Sequence, residues 1–422
     1  MAYQHIEVYD EAHLVGELVI HSETYFTFQY TKDWNKRNAL AFAIDSQLPL
    51  ENTTQDTLYT NNNLWGCFAD LLPDRWGRKL QSRHMGRALS DIDYMLGVSD
   101  YYRIGSLRLK LNDEFIAKES NIPQLIHINE IMQSSLNLEK EEYSDRDLAY
   151  LLGCGSSLGG ARPKACLADK DKLYIAKFPS VNDEYSVILW EKTMLDIAKI
   201  AHIEVPNTKL IDTKFNRQAL LVERFDRTNG THQRIPFQSA MSLLNVSERA
   251  GADQKCYIDV ADKLSTPDKQ RFFRRMVFNT LFGNTDDHLR NHALLYDRES
   301  KQWNLAPAYD LNPNPIDYDR QYHALKFTPN TDKPSLSLCK DIMEHFAVDI
   351  HLFSEIVSDC IKAGEQYKKI AAQNGIKSAE IKFMAGNFEH KDIEYAKSIL
   401  HNSHLASLKP KTTHKPKLRT KR

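Results

Sequence analysis

The chain has 422 residues, of which 42% are hydrophobic and 26% charged, a composition that is ordinary for a soluble globular protein with room for two or three domains. The net charge of −1 gives no global argument for nucleic-acid binding, and the six cysteines show no C-x-x-C spacing, which argues against a zinc ribbon and a disulfide framework. No apolar run approaches membrane-spanning length and the first ten residues do not resemble a signal peptide, so we expect a cytoplasmic protein without membrane contact.

The first part of the chain, residues 1–110, is predicted to form a small β-rich module. Residues 25–30 (YFTFQY) alternate as a half-buried strand does, and residues 104–109 (IGSLRL) form a further short strand. Residues 64–83 place apolar side chains on one face of a helix, which Pro73 bends or restarts. Residues 111–145 are polar and helical only in parts, so we expect them to be a connector.

A second pattern begins at about residue 145. Residues 146–237 contain a strand at 173–178 (LYIAKF), a helix at 187–201 and a strand at 219–225 (ALLVERF). Residues 238–405 show helical periodicity at 270–282, 352–364, 378–386 and 390–400. A β-rich half followed by a helical half predicts an α+β fold with two lobes, the second of them all-helical.

The last segment, residues 406–422, is predicted to be a disordered basic tail. Residues 409–422 carry seven Lys or Arg and no acidic residue, which leaves a net charge of −8 for the rest of the chain. A Lys/Pro/Thr segment without periodicity cannot bury a core. Two interpretations stay open, a solvated chain end and a weak contact to nucleic acid or an acidic partner.

A glycine-rich turn precedes the strand at 173–178. Gly153, Gly155, Gly159 and Gly160 lie close together, and such a turn exposes backbone N–H groups that can hold phosphate. The turn is not a Walker A loop, because Gly160 is followed by Ala-Arg instead of Lys and Ser or Thr. By itself, an ordinary hairpin would explain it equally well.

Lys177 and the end of the next strand provide two further elements. Lys177 lies among apolar residues of a strand, where a buried cation is costly unless it is paired. We expect its partners to be a phosphate and Glu191 of the following helix, although an edge-strand lysine that reaches solvent would give the same pattern. At 222–227 (VERFDR) a strand ends before a polar turn, either as an ordinary strand end or as a hinge whose backbone faces adenine.

Residues 284–291 (NTDDHLRN) carry the strongest chemical signal. Asp286 and Asn291 are five positions apart, and a second Asp follows at Asp310. Phosphoryl transfer from ATP requires a carboxylate that orients and deprotonates the acceptor hydroxyl, and oxygen ligands for Mg²⁺. Asn and Asp also favour helix ends and turns, so this spacing alone is ambiguous. Four elements in the order that protein kinases use predict a kinase-type site.

These segments resemble the HipA family, the kinase toxins of bacterial toxin–antitoxin pairs, along nearly the whole chain. Residues 157–164 (SLGGARPK) resemble the family's phosphate loop, and 175–179 (IAKFP) its ATP-lysine strand. Residues 221–227 resemble the hinge, 285–291 the catalytic loop and 305–311 (LAPAYDL) the metal-binding segment. Residues 68–74 (FADLLPD) are similar to a stretch of the family's N-terminal subdomain. The resemblance implies a bilobal protein-kinase-like fold.

The resemblance also implies a role for each matching residue. Asp286 would be the catalytic base, Asn291 and Asp310 the Mg²⁺ ligands, and His288 a neighbour of the nucleotide. The expected ATP-binding residues are Gly159, Gly160, Ala161, Lys164, Lys177, Glu191, Glu223, Phe225, His288, Asn291 and Asp310. Autophosphorylation of Ser157 in the loop would expel the loop and switch the kinase off.

There is one clear departure from the family pattern, and the loop shows a further variation. The residue after the base is often Gly in the family, and here it is Asp287, an extra carboxylate that could alter metal affinity or acceptor choice. Arg162-Pro163 in the loop also varies from other branches of the family. Neither departure removes a required group, so we expect an active enzyme.

The family resemblance implies an ATP- and Mg²⁺-dependent serine/threonine kinase. Its substrate would be a protein, such as an aminoacyl-tRNA synthetase or another translation factor. A HipB-like helix-turn-helix antitoxin would be a second partner, and DNA would be contacted mainly through it. Two alternatives stay open: a kinase of small molecules, and a catalytically weak regulator that sequesters a DNA-binding partner.

Overall fold

An antiparallel sheet forms the N-terminal module. The computed structural model describes residues 4–36, 40–57, 64–116, 122–153, 162–215, 217–228, 233–247, 251–315 and 322–408. Within these ranges the sheet has the order β4-β3-β2-β1-β5-β6. Its strands are β1 (Gln4–Asp10), β2 (His13–Ile20), β3 (Phe26–Tyr30), β4 (Gln55–Asp56), β5 (Leu107–Leu111) and β6 (Glu114–Phe115). The predicted alternation in β3 is confirmed, because Phe26, Phe28 and Tyr30 are all buried.

Short helices lie between β3 and β5 in the chain, and one of them, α3 (Arg75–Met85), packs Trp76 and Leu80 into the core of the next lobe. They are α1 (Lys32–Lys36), α2 (Gly66–Ala69), α3 (Arg75–Met85) and α4 (Asp91–Leu96). The predicted restart near Pro73 is confirmed, since α2 ends at Ala69 and α3 begins at Arg75. Asp74 caps α3 by accepting a hydrogen bond from the Gly77 N–H at 2.7 Å.

A second antiparallel sheet, in the order β7-β8-β10-β9, forms the next lobe within the described residues. The elements are α5 (Ile128–Glu139), α6 (Asp145–Leu152), β7 (Lys164–Asp169), β8 (Lys172–Lys177), α7 (Val187–Ile200), β9 (Thr208–Asp212) and β10 (Gln218–Glu223). Leu220 and Val222 of β10 pack against Ile188 of α7, whereas Leu221 faces the opposite side of the sheet. The segment predicted to be a connector contains α5, which packs Ile131 and neighbouring apolar residues into the core under this sheet.

The C-terminal lobe is built around one long buried helix. Its elements are β11 (Phe237–Ser239), α8 (Ala240–Leu243), α9 (Tyr257–Ala261), α10 (Thr266–Phe282), β12 (Ala293–Asp297), β13 (Gln302–Leu305), α11 (Leu336–Asp341), α12 (Ile350–Gly364), α13 (Tyr367–Gln373), α14 (Ser378–Phe383) and α15 (Lys391–Leu408). Buried aromatic and aliphatic side chains of α10, Phe272 and Phe273 among them, form the centre of its core.

The predicted α+β fold with two lobes is confirmed, with one difference in the second lobe. Among the described residues that lobe is not all-helical, because β11, β12 and β13 form a small antiparallel sheet. These strands have three to five residues, too short for alternation to stand out from loop sequence. In the described part of the chain, no helix has the length and apolar character needed to cross a membrane.

Candidate active site

A cleft of about 840 Å³, counted out to its open mouth, lies between the four-stranded sheet and the C-terminal lobe. Ile175 and Val222 provide apolar wall on the side of the sheet. The cleft is lined by Asp70, Ile104, Lys164, Ile175, Lys177, Val222, Glu223, Arg224, Phe225, Asp226, Phe237, Ser239, Arg290, Asn291, Tyr309 and Asp310. Elements that are far apart in the sequence, including part of the N-terminal module, therefore meet at one place.

Lys177 lies at the end of β8 between two carboxylates. Its Nζ is 2.5 Å from Oε1 of Glu191 and 2.8 Å from Oδ1 of Asp310. The predicted contact with Glu191 is therefore present. Burial alone would lower the pKa of Lys177, but Asp310 and Glu191 together raise it above the ordinary value. The side chain is a cation that the protein holds at a set position in the cleft.

Asp310 reaches the cleft from a strained backbone position. Its φ of 58° lies in the left-handed region, which Asp tolerates better than most residues. Burial would raise its pKa, but Lys177 and Lys164 hold the pKa below the usual range. Asp310 is thus an anionic oxygen donor at neutral pH, as a Mg²⁺ ligand must be.

Asn291 and Asp286 are joined directly. The Asn291 Nδ2 donates to the Asp286 carbonyl oxygen at 3.0 Å, and the His288 N–H donates to the same oxygen at 3.0 Å. Asn291 is buried and lines the cleft, whereas the Asp286 side chain is exposed, where an acceptor hydroxyl can reach it. Nearby protein atoms shield the carboxyl group partly from water, and this desolvation raises the pKa of Asp286. His288 lowers the pKa, whereas the charges of Asp310 and Asp287 raise it further.

The donor set fits a magnesium ion that is completed by substrate oxygens. Within the described residues no group of three or more His, Cys, Asp or Glu side chains forms a ready-made metal site. Asp310 and Asn291 can each offer one oxygen, and Mg²⁺ is commonly held by one or two carboxylates together with phosphate oxygens and water. The site therefore suits a metal that arrives with a nucleotide.

The segment predicted to be a hinge lies at the end of β10 and in the residues that follow. Glu223 accepts hydrogen bonds from Lys172 at 2.8 and 2.9 Å, and its backbone N–H donates to the Asn207 carbonyl at 2.9 Å. That N–H is therefore committed within the protein, so any adenine contact at Glu223 would use its carbonyl. The Phe225 ring packs against the Tyr309 ring with centroids 5.5 Å apart, which closes this end of the cleft.

Lys164 is a predicted phosphate-loop residue that lies within the described part of the chain. Its Nζ is 2.7 Å from Oδ2 of Asp74, and both side chains are buried. Ser157, Gly159, Gly160 and Ala161 lie outside the described residues. Lys164 therefore has a carboxylate partner from the N-terminal module.

Asp70, which lines the cleft, and Asp74, which pairs with the cleft residue Lys164, were not among the site residues predicted from the sequence. Asp70 accepts hydrogen bonds from the Ser239 N–H at 2.8 Å and the Ser239 hydroxyl at 2.7 Å. The available signal was two carboxylates in the otherwise apolar stretch 68–74 (FADLLPD). Their partners are about 90 to 170 positions away, so the local pattern could not reveal them.

Asp287 does not add a carboxylate to the cleft. Its side chain is buried in the C-terminal lobe, where its Oδ2 accepts from the Tyr257 hydroxyl and lies 3.0 Å from Nε2 of His292. Burial alone would raise the pKa of Asp287, but His292, His323 and Tyr257 hold it well below the usual range. The expectation that this carboxylate acts on metal or acceptor therefore has no support in its position.

Family models match two parts of the chain. The family model for the HipA-like C-terminal domain matches residues 156–374, and the model for the HipA N-terminal domain matches residues 6–98. One curated relative, "Putative kinase Y4dM" from Sinorhizobium fredii, is 32% identical over 204 residues, which are 44% of this chain and 48% of the relative. Another, "Putative kinase" from Haemophilus influenzae, is 28% identical over 185 residues, 37% of this chain and 52% of the relative. The chain spans about half the length of these relatives.

One solved structure shows the same fold. The HipA chain of a Shewanella oneidensis MR-1 toxin–antitoxin complex with HipB and operator DNA matches with a TM-score of 0.65 at 17% identity, over 95% of this chain and 97% of that one. The Helicobacter pylori proinflammatory kinase CtkA matches with a TM-score of 0.43 at 19% identity, over 58% of this chain and 95% of that one. The second match is too weak to support an argument.

Proposed function

The chain belongs to the HipA family, and from this membership and the cleft geometry we propose that it is a kinase that transfers the γ-phosphate of ATP to a serine or threonine hydroxyl of a protein. The observation that carries the proposal is the convergence of Lys177, Glu191 and Asp310 beside the tied pair Asp286 and Asn291. A cation for the phosphates, oxygen ligands for a metal and an accessible carboxylate are what phosphoryl transfer requires.

In this proposal each group has one task. Lys177 holds nucleotide phosphates, and Glu191 keeps Lys177 in place. Mg²⁺, held by Asp310 and Asn291, would neutralise charge on the phosphate oxygens. Asp286 accepts the proton of the acceptor hydroxyl, and the oxygen of that hydroxyl forms a bond to the γ-phosphorus. The bond from that phosphorus to the β-bridging oxygen breaks, and ADP leaves.

The exchange Asp286→Asn tests the assignment. We expect phosphate transfer to fall on the order of 10²–10⁴-fold, as removal of a general base typically does, while ATP binding is largely retained. The measurement is transfer of radiolabelled γ-phosphate to proteins of a cell extract, with ATP binding followed by calorimetry. Asp341→Asn, at an exposed carboxylate on α11, is the matched control and should behave as wild type. Transfer near the wild-type rate in the Asp286 variant would exclude this residue as the base.

The substrate class is a separate question. A translation component such as an aminoacyl-tRNA synthetase is our proposal from family membership. Parallel incubations with cell-extract proteins and with small hydroxyl compounds distinguish a protein kinase from a small-molecule kinase. Labelling of small compounds alone would favour the second. A wild type that consumes no ATP would favour the catalytically weak regulator.

We also propose a HipB-like helix-turn-helix protein as a partner, with DNA contacted mainly through it and with both in the cytoplasm. The support is the Shewanella structure, whose HipA chain is in a complex with HipB and operator DNA. Autophosphorylation of Ser157 as an off switch remains part of the proposal. A slow, self-limiting gain of one phosphate that maps to Ser157, and is absent when Asp286→Asn is incubated alone, would support it.

A further inference from the structure

Two non-covalent cross-links hold the loop between α10 and β12, and each joins two residues that are five positions apart. On the side of the cleft, the Asn291 Nδ2 donates to the Asp286 carbonyl at 3.0 Å. One position further along at each end, His292 Nε2 lies 3.0 Å from Oδ2 of Asp287. Each residue of the cleft-side pair is therefore followed directly in the chain by a residue of the buried pair.

The second cross-link is sealed from solvent. Asp287 is 1% and His292 2% exposed, and the fully buried Tyr257 donates its hydroxyl hydrogen to the same carboxylate oxygen. The Phe272 ring meets His292 edge-on at 4.8 Å, and the His323 ring lies 5.7 Å from the Tyr257 ring. A charged carboxylate in such a place needs these donors, because burying it without partners would be costly.

Backbone contacts fix His292, Tyr257 and the start of the loop to the lobe. The His292 carbonyl accepts from the Ala240 N–H at 2.8 Å, and the Tyr257 N–H donates to the Lys326 carbonyl at 2.8 Å. The Thr285 carbonyl, just before the loop, accepts from the Ala324 N–H at 2.8 Å. The buried cross-link thus joins the loop to α8, to α9 and to the segment that begins at residue 322.

We propose that Asp287, His292 and Tyr257 are positioning residues that set the separation and direction of Asp286 and Asn291. The inference rests on the proposed function, and it gives a task to the carboxylate that the family pattern often replaces with glycine. All three are buried and none lines the cleft, so none is assigned a contact with substrate. They would act through the loop, because small misplacement of catalytic groups costs rate steeply.

The exchange Asp287→Asn is the main test. The amide keeps the size of the side chain but removes its charge, so the cross-link to His292 and Tyr257 weakens. Outer-shell partners of a metal or catalytic site are typically worth about 10–100-fold in activity or metal affinity, and we expect a loss of kcat in that range. The KM for ATP at saturating Mg²⁺ should stay unchanged, because Lys177 and the hinge are untouched. The Mg²⁺ concentration needed for half-maximal rate should rise, because Asn291 is displaced.

Two further variants separate positioning from a general effect on folding. Asp45→Asn removes another buried carboxylate, one that accepts from the Cys67 and Gln47 N–H groups in the N-terminal module, and it should leave kcat and the Mg²⁺ requirement per folded molecule unchanged. Tyr257→Phe deletes one donor to Asp287 and should show a milder form of the same defect. A double-mutant cycle of Tyr257→Phe with Asp287→Asn should be non-additive. If Asp287→Asn does not fold, Tyr257→Phe alone tests the inference.

The outcomes distinguish this inference from the proposed function. If wild type transfers phosphate and Asp286→Asn does not, but folded Asp287→Asn matches wild type in kcat and Mg²⁺ requirement, the positioning role is overturned and the kinase stands. If wild type itself is inactive, the proposed function fails, and a crystal structure of Asp287→Asn decides the geometric question. A lengthened contact between the Asn291 Nδ2 and the Asp286 carbonyl supports the inference, and an unchanged contact overturns it.

Discussion

Lys177 is buried between two carboxylates, and this arrangement depends on all three charges. Removing the lysine would leave Glu191 and Asp310 without the cation that contacts both of them, whereas removing one carboxylate would leave the other still paired with Lys177. The pKa directions agree with this asymmetry. Burial raises the pKa of Glu191 and Asp310 adds to the rise, while Lys177 opposes it. The effects of substitution should therefore be unequal.

Our first residue-scale prediction concerns this triad. Lys177→Ala should impair ATP use severely, because the phosphate contact is lost and two buried carboxylates are left together. Glu191→Gln should give a milder defect, because Asp310 still holds Lys177 at 2.8 Å. The measurement is kcat/KM for ATP in both single variants and in the double variant. A purely additive result would argue against direct coupling of Lys177 and Glu191.

Asp310 provides the second prediction at this scale. Asp310→Asn keeps the size of the side chain but removes the charge that a divalent cation needs, so nucleotide affinity in Mg²⁺ should fall. Affinity measured with EDTA should change little. Calorimetric titration of ADP with and without Mg²⁺ checks both statements. Equal affinity of wild type and variant in Mg²⁺ would show that Asp310 is not a ligand.

At the scale of elements, the end of α10 determines where the loop that carries Asp286 and Asn291 begins. Gly283 ends this helix with a φ of 72°, a conformation that other residues adopt only with strain. A Cβ at this position would lie 2.3 Å from Nδ2 of Asn387. That nitrogen also donates to the Asn314 carbonyl at 2.6 Å, so it cannot move away without breaking a contact.

We therefore predict that Gly283→Ala lowers the melting temperature clearly, since about 1–2 kcal/mol of left-handed strain adds to the steric conflict. Gly86→Ala is the matched control, because Gly86 ends α3 with a φ of 61° and a Cβ there would meet nothing within 4 Å. Gly86→Ala should lower the melting temperature by a smaller amount, because it adds backbone strain without a steric conflict. Equal decreases of the melting temperature in the two variants would mean that the Asn387 side chain moves aside without loss of stability.

At the scale of the whole molecule, a buried charge network ties the hinge to the N-terminal module. Asp226 accepts from Arg224 at 2.7 and 2.9 Å, from Arg227 at 2.6 Å and from the Gly105 N–H at 2.8 Å. Arg224 and Arg227 in turn donate to the Arg103 carbonyl at 2.9 and 2.8 Å. The strand end that faces the cleft is thus fastened to residues more than one hundred positions earlier.

This network should make stability depend on pH in a defined direction. Burial alone would raise the pKa of Asp226, but Arg224 and Arg227 hold it below the ordinary value. The pKa of an Asp in the unfolded chain is about 3.9. A carboxylate with a lower pKa in the folded state stabilises the fold at pH values above the unfolded pKa. This contribution is lost progressively as the pH falls from the unfolded pKa towards the folded one. The melting temperatures of wild type and Asp226→Asn should differ most at neutral pH, and the difference should begin to shrink as the pH falls below about 4. A difference that stays constant with pH would contradict the assigned pKa direction.

Much of the fold and of the site was predictable because it is encoded locally. The alternation of β3, the restart of a helix after Pro73 and the end of α10 at Gly283 each follow from a few adjacent residues. The same holds for the spacing of Asp286 and Asn291, which a single loop closes with one hydrogen bond at 3.0 Å. Periodicity, turn chemistry and loop spacing are properties of short segments, so the sequence alone determined them.

Only the tertiary structure decided which distant groups meet. Asp74 pairs with Lys164 and Asp70 with Ser239 across domains, and the buried direction of Asp287 depends on Tyr257 thirty positions earlier. The small sheet of β11, β12 and β13 likewise joins strands that are too short to recognise one at a time. A local pattern indicates which face of an element is buried, but it does not identify the partner on that face. That choice is made by packing and by the pairing of buried charges, which arise only when the chain has folded.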